Sequence, residues 1–89
     1  MAWTIEYVNS AQKTVKKLSK QDRSRIRQFL EERLAPLDNP RQLGAALQGD
    51  KLGAYWRYRV GDFRIICDIQ DNRLVVLVIE IGHRRDIYR

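Results

Sequence analysis

The sequence predicts an α+β domain: an N-terminal strand, a helical hairpin, then a three-stranded antiparallel meander, in the order β-α-α-β-β-β. Three observations predict it. The first half carries apolar residues at helical spacing, the last third carries three apolar runs of strand length, and the dipeptides Gly61-Asp62 and Asp71-Asn72 separate those runs as tight turns. A chain of 89 residues supports one core, so residues 1 to 89 are expected to form a single domain.

Each element has its own justification. In "WTIEYV", Trp3, Ile5 and Tyr7 alternate with Thr4 and Glu6, the pattern of a half-buried strand. Asn9 or Ser10 then offers a helix cap, and Ala11, Thr14, Val15 and Leu18 follow at i, i+3, i+4 and i+7. Ser19 with Asp22 three residues on resembles a capping box and opens a second helix with the apolar stripe Ile26, Phe29, Leu30 and Leu34. The outer face of this hairpin carries Lys13, Lys16, Lys17, Lys20, Arg23, Arg25 and Arg27. Pro36 and Pro40 end the second helix, because each biases its predecessor away from helical geometry. A connecting loop follows to Gly53, with Gly49-Asp50 as a turn and room for a helical turn from Leu43 to Leu47. The strands "AYWRYRV", "FRIICDI" and "RLVVLVIEI" complete the chain.

Charge bounds the partner. The 17 Lys and Arg exceed the 11 Asp and Glu, a net charge of +6 that favours an anionic partner, nucleic acid being the commonest. Simple solubility is the plainer alternative. The single cysteine, Cys67, lies in an apolar run with no second thiol, which excludes an internal disulfide and points to a reduced compartment. No stretch has the form of a signal peptide or the length of a membrane span, so a cytoplasmic protein without cofactor or metal is expected.

A two-residue turn at Gly61-Asp62 sets Val60 opposite Phe63, Arg59 opposite Arg64, Tyr58 opposite Ile65 and Arg57 opposite Ile66. Alternation then puts Trp56, Tyr58, Val60, Phe63, Ile65 and Cys67 on the core face, and Tyr55, Arg57, Arg59, Arg64, Ile66 and Asp68 on the other. Two arginines directly opposite repel by up to about 1 kcal/mol unless an anion sits between them. Asp62 or Asp68 fills that need structurally, and a bound phosphate fills it functionally. A two-residue turn at Asp71-Asn72 extends the register to put Ile79 opposite Arg64, His83 on the arginine face and Glu80 toward the core. Cutting RNA without metal needs a base for the 2′-hydroxyl, cations for the phosphorus-centred charge and an acid for the leaving oxygen. His83 and Tyr88 are the candidate acid and base, and Arg57, Arg59, Arg64 and Arg84 the candidate phosphate binders. Each has a plainer reading as a surface or packing residue, and Arg85 and Arg89 are solvated or hold backbone phosphates.

The stretch "LQGDKLGAYWRYRVGDFRIICDI" followed by "VIEIGHRRDIYR", behind a basic helical hairpin, resembles the RelE/ParE superfamily of bacterial type II toxin-antitoxin systems, and most closely its RelE-like branch. The resemblance covers nearly the whole chain and implies a fold with an antiparallel sheet under two helices. It implies an mRNA interferase that cuts the codon in the ribosomal A site, with Arg64 and Arg84 matching phosphate-stabilising arginines and Tyr88 matching the C-terminal tyrosine assigned as base. Arg57 and Arg59 stand where the best-known members have lysines, and arginine is a poor proton donor, which leaves His83 as the acid or leaves catalysis to positioning and electrostatics. Lys13, Lys16, Lys17, Lys20, Arg23 and Arg27 would then grip ribosomal RNA, and an acidic RelB-like antitoxin would mask the site. Two other classes stay open: a ParE-like poison of DNA gyrase, and a nucleic-acid-binding remnant that cuts nothing.

Overall fold

The computed structural model describes residues 2–47 and 55–83, so Arg84, Arg85, Tyr88, Arg89 and the Gly49-Asp50 turn lie outside the described residues. Strand β1 (Thr4–Tyr7) leads into helix α1 (Asn9–Lys17) and helix α2 (Lys20–Gln28), which continues into a π-helical turn at Phe29–Leu34. A 3-10 turn at Pro40–Leu43 and a two-residue strand β2 (Ala45–Ala46) follow, then β3 (Tyr55–Val60), β4 (Phe63–Gln70) and β5 (Val75–His83). The five strands form one mixed sheet in the order β1-β5-β4-β3-β2.

The helices begin where local chemistry lets them. Ser19 caps α2, its hydroxyl accepting from the Asp22 amide at 3.1 Å. Helix α1 starts one residue earlier than expected: Val8 occupies its cap position, its aliphatic side chain offers no capping oxygen, and its amide donates to the Val78 carbonyl of β5 at 3.0 Å. The stripe of α2 enters the core as Ile26, Leu30 and Leu34, and each aliphatic side chain buried this way stabilises by about 1.5–3 kcal/mol. In the π turn the Ala35 amide donates to the Leu30 carbonyl at 2.9 Å, and both leucines remain inaccessible to solvent.

Strand β1 runs parallel to β5, with Thr4 beside Val75 and Tyr7 beside Val78. Its start is pinned to the far end of the helical layer by the Trp3 amide, which donates to the Ala35 carbonyl at 2.8 Å. The segment expected to hold a helical turn at Leu43 to Leu47 instead places the turn earlier, where Pro40 pre-sets its first position and Asn39 caps the Arg41 amide at 3.1 Å. Ala45 and Ala46 then pair with Arg57 and Trp56 as the sheet's edge.

The β3–β4 hairpin has the expected register throughout. Gly61 takes φ of 60°, which a glycine adopts without strain, and Val60 pairs with Phe63, Arg59 with Arg64 and Arg57 with Ile66. The β4–β5 hairpin departs from expectation twice. Its turn has four residues, with Gln70 opposite Val75, and Ile79 is bulged out between the Cys67–Val78 and Ile66–Glu80 pairs. The longer turn preserves the parity of β5 and the bulge reverses it. Gly82, not Ile79, therefore stands opposite Arg64, Glu80 is exposed rather than turned to the core, and His83 stands opposite Phe63.

Candidate nucleic-acid interface

The arginine face exists because its opposite side is core. Tyr58, Val60, Phe63, Ile65 and Cys67 are buried under the helices, so the residues between them on β3 and β4 emerge on the other side of the sheet. Strand β3 is held from the core side by Tyr58, whose hydroxyl donates to the Pro40 carbonyl at 2.8 Å and whose phenol is pushed far above its ordinary pKa by burial. Gly44 passes so close to this ring that an added Cβ would lie 2.8 Å from it and 3.0 Å from the Arg57 carbonyl oxygen. That close approach fixes the backbone carrying Arg57.

Arg59 is exposed, while Arg57 and Arg64 are half-buried on the same face. Directly opposite residues such as Arg59 and Arg64 have Cβ atoms about 4.5–5.5 Å apart, close enough for two guanidinium groups to share one anion. Asp68 accepts from the Gln70 side chain at 3.1 Å and Asp62 is exposed in the turn; neither forms an ion pair with Arg57 or Arg59 among the described residues. The acidic side chains nearest in sequence thus leave the charges of Arg57 and Arg59 on β3 unpaired among the described residues.

His83 is placed elsewhere. Its ring meets Phe63 edge to face, centroids 5.3 Å apart, on the helix side of the sheet. A hollow of about 500 Å3 opens beside it, lined by Thr14, Leu18, Phe63, Ile81 and His83. The structure therefore brings Arg57, Arg59 and Arg64 together and separates His83 from them.

The model of the ParE toxin of type II toxin-antitoxin systems matches residues 5–88. The chain belongs to this toxin family. Solved structures similar to the toxin include the toxin-antitoxin complex RelBE2 from Mycobacterium tuberculosis, at 21% identity with a TM-score of 0.83, covering 94% of this chain and 93% of that one. The isolated RelE toxin of E. coli is similar at 22% identity with a TM-score of 0.73, covering 98% and 92%. The archaeal RelE-RelB complex from Pyrococcus horikoshii is similar at 22% identity with a TM-score of 0.66, covering 94% and 97%. At these identities the likeness establishes the RelE fold that the sequence led us to expect. No curated protein matches the chain.

The toxin's helical cations are exposed: Lys13, Lys16, Lys17, Lys20, Arg23 and Arg27 all face solvent. Lys16, Arg23 and Arg27 line a hollow of about 380 Å3 with Tyr7, Val15 and Glu31, where Arg27 pairs with Glu31 at 3.4 Å. Burial, followed by the Glu31 charge, raises the Tyr7 phenol above its ordinary pKa. In the sequence, Arg25 falls on the outer face of the hairpin without a role, and Arg33, in the π turn that continues α2, is unassigned. Arg25 and Arg33 lie eight residues apart on the other flank of α2 and its π-helical continuation, a spacing of about two turns; a helical projection pairs them, but not with Arg59 of β3, which completes their hollow. Among the described residues, no group of three or more His, Cys, Asp or Glu is arranged to hold a metal ion, and no helix is long and apolar enough to cross a membrane.

Proposed function

We propose that this toxin is a metal-independent endoribonuclease that cuts mRNA in the ribosomal A site and so stops translation. The observation that carries the reading is the pairing of Arg59 with Arg64, flanked by Arg57, on the sheet face opposite the one that carries buried Tyr58, Val60, Phe63 and Ile65. In the reaction the 2′-oxygen of the RNA attacks the adjacent phosphorus, the bond to the 5′ oxygen breaks, and a 2′,3′-cyclic phosphate and a 5′-hydroxyl remain. Arg57, Arg59 and Arg64, with Arg84, stabilise the extra negative charge on the phosphorus oxygens. Tyr88 takes the 2′ proton, and the departing oxygen takes its proton from water, since His83 turns its ring to Phe63. Catalysis then rests mainly on holding the RNA in line and on electrostatics.

The exposed lysines and arginines of α1 and α2, together with Arg85 and Arg89, supply sequence-independent contacts to ribosomal RNA. An acidic antitoxin of the RelB kind, complementary to a net charge of +6, holds the toxin inactive. The target lies in the cytoplasm. The name of the matching family favours a second reading, poisoning of DNA gyrase through protein contacts.

Primer extension on a programmed ribosome with an empty A site separates the two. Cleavage within the A-site codon by wild type, and none by a folded Arg64→Ala protein, is the expected result. No cleavage by either, with gyrase-dependent breakage of supercoiled DNA by wild type, transfers the function to gyrase.

A further inference from the structure

Helix α2 divides its cations between two sides. Arg23 and Arg27 face the hollow against α1, whereas Arg25, Phe29 and Arg33 recur at four-residue spacing on the opposite flank. There they meet Arg59 and Val60 from the end of β3 and Gly61 of the turn after it, and line a separate hollow of about 490 Å3. Two close approaches build it. The Arg33 guanidinium lies over the Phe29 ring at 5.7 Å from its centroid, and Arg25 comes so near the turn that a Cβ on Gly61 would lie 3.0 Å from its Nη1.

Three guanidinium groups thus surround one concavity against a single carboxylate, Glu32. All three are exposed, and none enters an ion pair or side-chain hydrogen bond among the described residues. Like charges gathered this way raise the local potential and favour a bound anion. Arg59 belongs also to the arginine face, so the hollow continues that face around the β3–β4 turn.

We infer that this hollow binds the phosphate backbone of single-stranded RNA, extending the strand's path from the arginine face to Arg25 and Arg33. This rests on the ribonuclease reading above. Continuity through Arg59 favours RNA over an acidic peptide, because the strand held at the reacting phosphate must leave that face in some direction, and guanidinium forks match phosphate oxygens.

The test is fluorescence anisotropy with a short 2′-O-methylated single-stranded RNA, which binds but cannot be cut, over a salt series. An Arg25→Gln, Arg33→Gln double variant with an unchanged thermal melt is expected to lose about 1.4 from the slope of log affinity against log salt, at roughly 0.7 per phosphate neutralised. The Arg25→Lys, Arg33→Lys pair restores it. An unchanged slope, no binding by wild type, or a loss that lysine does not restore overturns the inference. So does a loss confined to binding of an acidic antitoxin peptide, which would make the hollow a protein site. The ribosome assay is separate: cleavage by wild type with an unchanged slope defeats this inference alone, and a lost slope without cleavage defeats the ribonuclease reading while leaving a phosphate-binding hollow.

Discussion

His83 packs edge to face with Phe63, ring planes at 87°, and the pair lines the hollow beside Thr14 and Leu18 of the helical layer. Such a pair contributes about 0.5–1.5 kcal/mol beyond the area it buries. His83→Ala is therefore expected to lower the melting temperature by about 4–8 °C, as a loss near 1 kcal/mol does in a domain of this size. Cleavage should fall far less than in Arg64→Ala. Melting curves beside the A-site assay check this, and an unchanged melt with abolished cleavage would return the imidazole to the chemistry.

Arg64→Ala tests the opposite face. The residue projects away from the core between buried Phe63 and Ile65, so truncating it leaves the packed layer intact. Loss of one pre-positioned donor to a developing anion costs about 10²–10³ in rate. The expected outcome is that loss with a native circular dichroism spectrum. Wild-type cleavage by the folded variant would move the reacting phosphate off this face.

These two predictions mark how far the sequence could be read. Arg59 opposite Arg64 was legible because Gly61-Asp62 makes a two-residue turn whose φ only a glycine takes easily, and such a turn admits one register. Ser19 was legible for the same local reason, a hydroxyl three residues before a free amide. His83 was not, because its face depends on the bulge at Ile79, a residue that looks like any other apolar strand position. The parallel pairing of β1 with β5 joins segments about 70 residues apart, and β2 is held by tertiary packing at Gly44 rather than by any apolar run. The hollow shared by Arg25 and Arg33 was not legible because it is completed by Arg59 of β3, far along the chain.

The exposed lysines at the end of α1 and the start of α2 offer a charge test that does not touch the site. Reversing Lys16, Lys17 and Lys20 to Glu should weaken ribosome binding and flatten its dependence on salt, by roughly 0.7–0.9 in slope for each phosphate no longer neutralised. Cleavage at saturating toxin should be unchanged. Sedimentation with ribosomes over a salt series reads the first, and equal binding by wild type and variant would remove these helices from the RNA-binding surface.

Cys67 should be chemically silent in the folded protein. It is fully buried between β3 and β5, and burial, then the nearby Asp68 charge, pushes its thiol up to about 12. Little thiolate exists at pH 8, and reagent cannot reach it. Iodoacetamide at pH 8 is expected to label only denatured protein. Rapid labelling of native toxin would show that the sheet opens at β4.

Arg41 joins the turn before β2 to the β4–β5 turn through a two-pronged pair with Asp71, at 2.7 and 3.0 Å. The Arg41 guanidinium holds the Asp71 carboxyl below its ordinary value of 3.8, chiefly through these hydrogen bonds. The folded state thus binds this proton more weakly than the unfolded chain does. The stability it contributes is fully present above the unfolded value near 3.8 and is lost as pH falls through the lower folded pKa. Asp71→Asn should therefore melt below wild type at pH 7, with the gap closing progressively below pH 3.8. High salt should narrow the gap at pH 7 as well, because the pair lies at the surface. Melting curves of both proteins from pH 7 to pH 2 check the sign, and a gap that stays constant across that range would show that the substitution disturbs packing rather than removing a charge.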